Sequence, residues 1–135
     1  MPPDSILPGS PADWMRHARA DMAFARISLP KGGLYELLCF HAQQVVEKSI
    51  KAVLLHEEIV FPYTHDIARL ITLVNAENLP WHEKLDQSVD LTKYAIETRY
   101  PGVFEPVTEE EYHETIEIAE RVLAWAEALL KELEA

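Results

Sequence analysis

The sequence is poor in several things, and each scarcity removes a class of protein. Cys39 is the only cysteine in 135 residues, which rules out a disulfide scaffold. Four glycines are too few for a collagen-like or glycine-rich chain. No apolar run approaches the roughly 20 residues that a membrane-spanning helix needs. Basic residues number 12 against 23 acidic ones, for a net charge of -11. A nonspecific duplex-DNA binder needs clustered Lys and Arg, so that class is disfavoured as well. The opening Met1-Pro2-Pro3-Asp4-Ser5 lacks the basic region and apolar stretch of a secretory leader, and the reading places the protein in the cytoplasm.

What remains has globular proportions: 48% hydrophobic and 26% charged residues in 15.4 kDa, the size of one domain. A chain of this length buries roughly two-thirds of its unfolded surface without staples. Cys39 lies within Leu37-Leu38-Cys39-Phe40 and reads as a small core residue. The charge is uneven: residues 105–135 hold ten acids and two bases, while residues 1–104 hold thirteen and ten.

Prolines punctuate the chain. Pro2, Pro3, Pro8 and Pro11 mark residues 1–11 as a flexible lead-in, followed by one helical domain over 12–135. Met15, Ala18, Met22 and Ala25 predict a helix from about Ala12 to Ile27, ended by Pro30 and Gly32-Gly33. Leu34, Leu37, Leu38, Val45, Ile50, Val53 and Leu54 predict a second, about Leu34 to His56, with Glu47 and Lys51 as an i,i+4 pair on its other side. Thr64 is the expected N-cap of a third helix, with Asp66 in its first turn and Ile67, Leu70, Ile71 and Val74 as its stripe. Leu85, Val89, Thr92 and Ile96 predict a fourth, about Trp81 to Thr98, stopped at Arg99-Tyr100-Pro101-Gly102. Thr108-Glu109-Glu110-Glu111 has capping-box spacing and opens a fifth, about Glu109 to Leu133, which carries two apolar stripes. No segment alternates with period two. The fold class is all-α, an up-and-down bundle of four or five helices.

The chemistry-bearing positions are sparse. His17, His41, His56, His65, His82 and His113 form no His-x-x-x-His or Glu-x-x-His pair suited to a metal site in a bundle. There is no phosphate-binding glycine loop and no nucleophile turn. The reading expects no metal and no cofactor. Three polar groups stand out. Within Phe40-His41-Ala42-Gln43-Gln44-Val45-Val46-Glu47-Lys48-Ser49-Ile50-Lys51-Ala52, Gln44, Lys48 and Lys51 share a face and Glu47 lies between Gln43 and Lys51. A solvated helix surface would account for them. Adjacent glutamines buried in so apolar a helix would instead require partners, in their own chain or across an interface. Capping explains Thr64 and Asp66 of Thr64-His65-Asp66 but leaves His65 without a role. Arg99 of Arg99-Tyr100-Pro101 suits a helix C-terminus, and it equally suits bidentate contact with a phosphate or carboxylate.

In order and spacing, these segments resemble the HEPN family (higher eukaryotes and prokaryotes nucleotide-binding domain). The resemblance spans about residues 13–133. It runs from Trp14, Ala18, Asp21, Ala23 and Ala25, through Phe40-His41-Ala42-Gln43-Gln44, Glu47-Lys48 and Lys51-Ala52, to Pro62, Thr64-His65-Asp66, Leu70, Tyr94 and Arg99-Tyr100-Pro101. It implies a helical bundle that forms a homodimer, often paired with a separately encoded minimal nucleotidyltransferase in a toxin–antitoxin-like system. Many such proteins cleave RNA with an Arg followed four to six residues later by His. Here those positions after Arg99 are Val103, Phe104 and Glu105, and the next histidine is His113.

Three functions stay open at this level. The first is a binding module for a nucleotide or a nucleotidyltransferase partner. Arg99, Lys48, Lys51, His65 and Gln44 would bind the ligand, and Gln43, Glu47 and Tyr100 would make dimer or partner contacts. The second is a non-catalytic interaction subunit. The third is a ribonuclease with an atypical site, in which His65 or His41 replaces the missing histidine.

Overall fold

A computed structural model of the chain describes residues 6–97 and 105–134. The described residues are helical, with no strand among them: α1 (Pro11–Ala25), α2 (Tyr35–His56), α3 (Ile67–Ala76), a 3₁₀ segment (Glu83–Lys93) running into the single turn α4 (Tyr94–Glu97), and α5 (Glu109–Glu134). α2 is the hub. It packs against α1, α3, α4, α5 and the 3₁₀ segment. That position explains its composition, because thirteen of its residues are buried, four of them polar. Ile50 and Leu54 are fully enclosed, and each contributes about 1.5–3 kcal/mol by leaving water.

Local chemistry sets most of the boundaries. Ser10 caps α1 by accepting from Asp13 N, and Pro11 occupies the first turn, where its missing N–H costs nothing. Thr108 and Glu111 exchange the reciprocal bonds of a capping box at the start of α5. α2 and α3 stop in the same way. Glu58 and Asn78 adopt positive φ, and the next residues, Ile59 and Leu79, donate back to Leu54 O and Val74 O.

Three expectations are corrected. The N-cap of α3 is Asp66, whose carboxylate accepts from Ala68 N, while Thr64 accepts from Asp66 N one step earlier. Leu34 and Leu37 do not join the core, being 58% and 50% exposed, because the wide apolar arc of α2 overshoots the surface that its neighbours cover. The fourth helix is largely not α-helical. Its inward residues are Leu85, Ser88, Leu91 and Tyr94, a period of three, whereas Ile96 of the predicted 3.6-residue stripe is exposed. Three residues per turn is the 3₁₀ repeat. Ser88 Oγ reinforces it by donating to Leu85 O at 2.6 Å, and Thr92 Oγ1 accepts from Ile67 N, tying the segment to the start of α3.

Cys39 is fully buried, as expected, and burial pushes its thiol up to about 11 from an ordinary 9.0. Because the folded value is the higher one, stability is complete below pH 9 and falls as pH rises through 9 to 11, where only the unfolded chain ionises freely. Burial also raises Tyr112, whose hydroxyl donates to Ala25 O, in the same sense. Cys39 is therefore expected to resist alkylation at pH 8 until the protein is denatured, and thermal melts are expected to fall above pH 9. Rapid native-state alkylation would contradict this burial.

Candidate functional site

The polar residues of α2 divide into two rows. His41 and Lys48, seven residues apart, face α1. Gln43, Glu47 and Lys51 follow at successive i,i+4 steps; Glu47 meets His65 of the α2–α3 connection, and Lys51 lies among Trp14 of α1 and Phe61 and Tyr63 of that connection.

The second row forms a closed network. Glu47 is 3% exposed. Its Oε1 accepts from His65 Nδ1 at 2.6 Å and from Gln43 Nε2 at 3.4 Å, and its Oε2 lies 3.6 Å from Lys51 Nζ. Gln43 Oε1 in turn accepts from Gln44 Nε2 at 2.7 Å. Lys51 is 3% exposed, and its ammonium is ringed by Trp14, Phe61 and Tyr63 at 5.7, 5.9 and 5.8 Å from their centroids. Aromatic faces and a carboxylate together compensate the water this cation has lost. The Glu47–Lys51 pair therefore does not sit on a solvated face, as its spacing suggested, but inside the molecule. Thr64 Oγ1 accepts from Asp66 N across His65, and the His65 ring reaches Glu47 from this turn. With Nδ1 donating to the carboxylate, Nε2 is the nitrogen left for outside contact.

The first row is a second carboxylate centre. Asp21 of α1 accepts from Lys48 Nζ at 2.6 Å and from His41 Nδ1 at 2.9 Å. The His41 ring stacks on Phe24 and meets Phe40 edge-on. Next to this centre, Gly9, Asp13, Trp14, His17 and Lys48 line an open cavity of about 260 Å³. Asp13 is shifted downward because Gly9 N–H and the Arg16 guanidinium hydrogen-bond to it.

The structure thus brings together Gln43, Gln44, Glu47, Lys51 and His65, and sets Lys48 on the adjoining turn against α1. Arg99 and Tyr100 lie outside the described residues. Gln43 and Glu47, expected at a dimer or partner contact, find their hydrogen-bond partners within their own chain. Sequence reasoning gave no site role to Asp21, Trp14 or Tyr63. Asp21 is 27 residues from the lysine it pairs with, and no local spacing reports such a contact. Tyr63, at 92% exposed, is a large ring left on the surface above Lys51. Among the described residues, no group of three or more His, Cys, Asp or Glu side chains could hold a metal ion.

Fold and site together define an all-α bundle whose polar centre is built on the middle helix. Residues 11–129 match the model of the HEPN domain. The chain is similar to ST0689, an archaeal HEPN homologue, at 33% identity and a TM-score of 0.70, covering 88% of this chain and 96% of that one. It is likewise similar to TT1696 from Thermus thermophilus, at 32% identity and a TM-score of 0.73, covering 87% of this chain and 96% of that one. A search of curated proteins finds no match. This protein belongs to the HEPN family.

Proposed function

We propose that the protein is a non-catalytic HEPN binding module, working as a homodimer, that recognises a nucleotide, a minimal nucleotidyltransferase partner, or both. The supporting observation is the commitment of the basic groups of the site. His65 and Lys51 are held by Glu47, and His41 and Lys48 by Asp21, so both centres are assembled before anything binds. Such pre-organisation lowers the ordering cost of recognition. Gln44, Lys48 and His65 keep part of their surface in solvent and offer the contacts, and Arg99 takes a phosphate.

Native mass spectrometry of protein purified gently from its source cells tests this reading. The expected species is a dimer of the 15.4 kDa chain carrying a nucleotide or a nucleotidyltransferase-sized subunit. Arg99→Ala is expected to lose that cargo and remain dimeric. A bare homodimer would favour the interaction subunit, and a monomer would overturn the dimeric module. RNA cleavage that disappears in His65→Ala would replace binding by a nuclease, with Nε2 as the proton acceptor.

A further inference from the structure

The cavity beside Lys48 has a chemistry of its own. Its volume of about 260 Å³ falls below the roughly 300–1,000 Å³ of pockets that enclose a whole drug-sized ligand. It has room for one planar ring system, with anything attached to that ring left outside. The basic side chains around it are already committed. Lys48 is paired with Asp21 at 2.6 Å, and Arg16 with Asp13 at 2.8 Å. Asp13 takes up the charge of Arg16 and lies 3.7 Å from His17 Nε2, and Lys48 is held by Asp21, so among the described residues no cation lining the cavity is left unpaired for a phosphate. Asp13 Oδ1 takes both Arg16 donors, while Oδ2 accepts from Gly9 N and retains a lone pair for another N–H. Trp14, steadied by the Lys51 ammonium, supplies a π-surface, and His17 lies one turn along α1.

Accepting the proposal that the protein recognises a nucleotide, we infer that the Trp14–His17–Asp13 cavity is the base subsite, that it takes an amine-bearing base such as adenine or cytosine, and that it makes no contact with phosphate. The base stacks on Trp14, its exocyclic amine donates to Asp13, and the ribose and phosphate extend away from the carboxylate.

Isothermal titration calorimetry of the full chain with adenosine, AMP, uridine and ribose 5-phosphate tests the assignment. Adenosine and AMP are expected to differ by less than about tenfold in Kd at this subsite. Uridine, which lacks the amine, is expected to bind more weakly. Base–aromatic stacking of the usual strength predicts a loss of roughly fivefold or more for adenosine in Trp14→Ala. His17→Ala removes an exposed ring, leaves the Lys51 surroundings intact and is expected to weaken adenosine as well, so the test stands even if Trp14→Ala fails to fold. Binding of AMP or ribose 5-phosphate without adenosine, or adenosine binding unchanged in the folded variants, would overturn the base subsite while leaving nucleotide recognition in place. If none of the four ligands bound, both would fall.

Discussion

Replacing Glu47 with alanine is expected to cost about 3–5 kcal/mol, the range for breaking a buried ion pair from one side. The cost exceeds that of a lost surface salt bridge because Glu47 serves three groups at once. Removing it leaves the Lys51 ammonium enclosed without a counter-charge, takes the acceptor from His65 Nδ1 and strips fully buried Gln43 of a partner. Three aromatic rings still surround Lys51, but cation–π attraction of about 0.5–2 kcal/mol does not match a carboxylate. Glu47→Gln keeps the shape and an acceptor oxygen, and is expected to recover part of the loss. Urea denaturation of both variants beside the wild type measures the effect. A Glu47→Ala loss below about 1 kcal/mol, the surface-pair value, would mean that the network is solvated in solution.

The second large effect concerns the register of the 3₁₀ segment. Leu91→Ala is expected to destabilise by about 2–5 kcal/mol, because Leu91 is enclosed in the core and its removal leaves a cavity. Ile96→Ala, at the outward end of the predicted α-helical stripe, is expected to stay within about 0.5 kcal/mol of wild type. The pair separates a period of three from a period of 3.6. A large cost at Ile96 with a small one at Leu91 would restore the α-helical register.

The same segment shows where sequence reading stops. Leu85 fits both periods, and Val89 and Thr92 are apolar or small enough to continue an α-helical stripe. What decides between the two is tertiary: Leu91 and Tyr94 are drawn into the core. In α1 and α3 no such ambiguity exists. Met15, Ala18, Met22 and Ala25 are all buried, as are Ile67, Leu70, Ile71 and Val74, because an unbroken 3.6-residue stripe has one way to face a core. The site was half legible. The two adjacent glutamines raised the alternative of burial with partners, which Gln43 takes up, whereas the spacing of Glu47 and Lys51 suggested a solvated face and both are buried. Their partners could not be read, since Asp21, Trp14, Phe61 and Tyr63 reach α2 only through the fold.

The hub position of α2 has a consequence for how the molecule can vary. Both carboxylate centres are assembled from α1, α2 and the α2–α3 connection, whereas acids such as Glu110 and Glu114 line the outward side of α5. No hydrogen bond of the site crosses to that side among the described residues. Substitutions of Glu110 or Glu114 can therefore change solubility, or the choice of a basic partner, without removing a bond that holds His65 or Lys48. The two sides of the bundle are free to evolve at different rates.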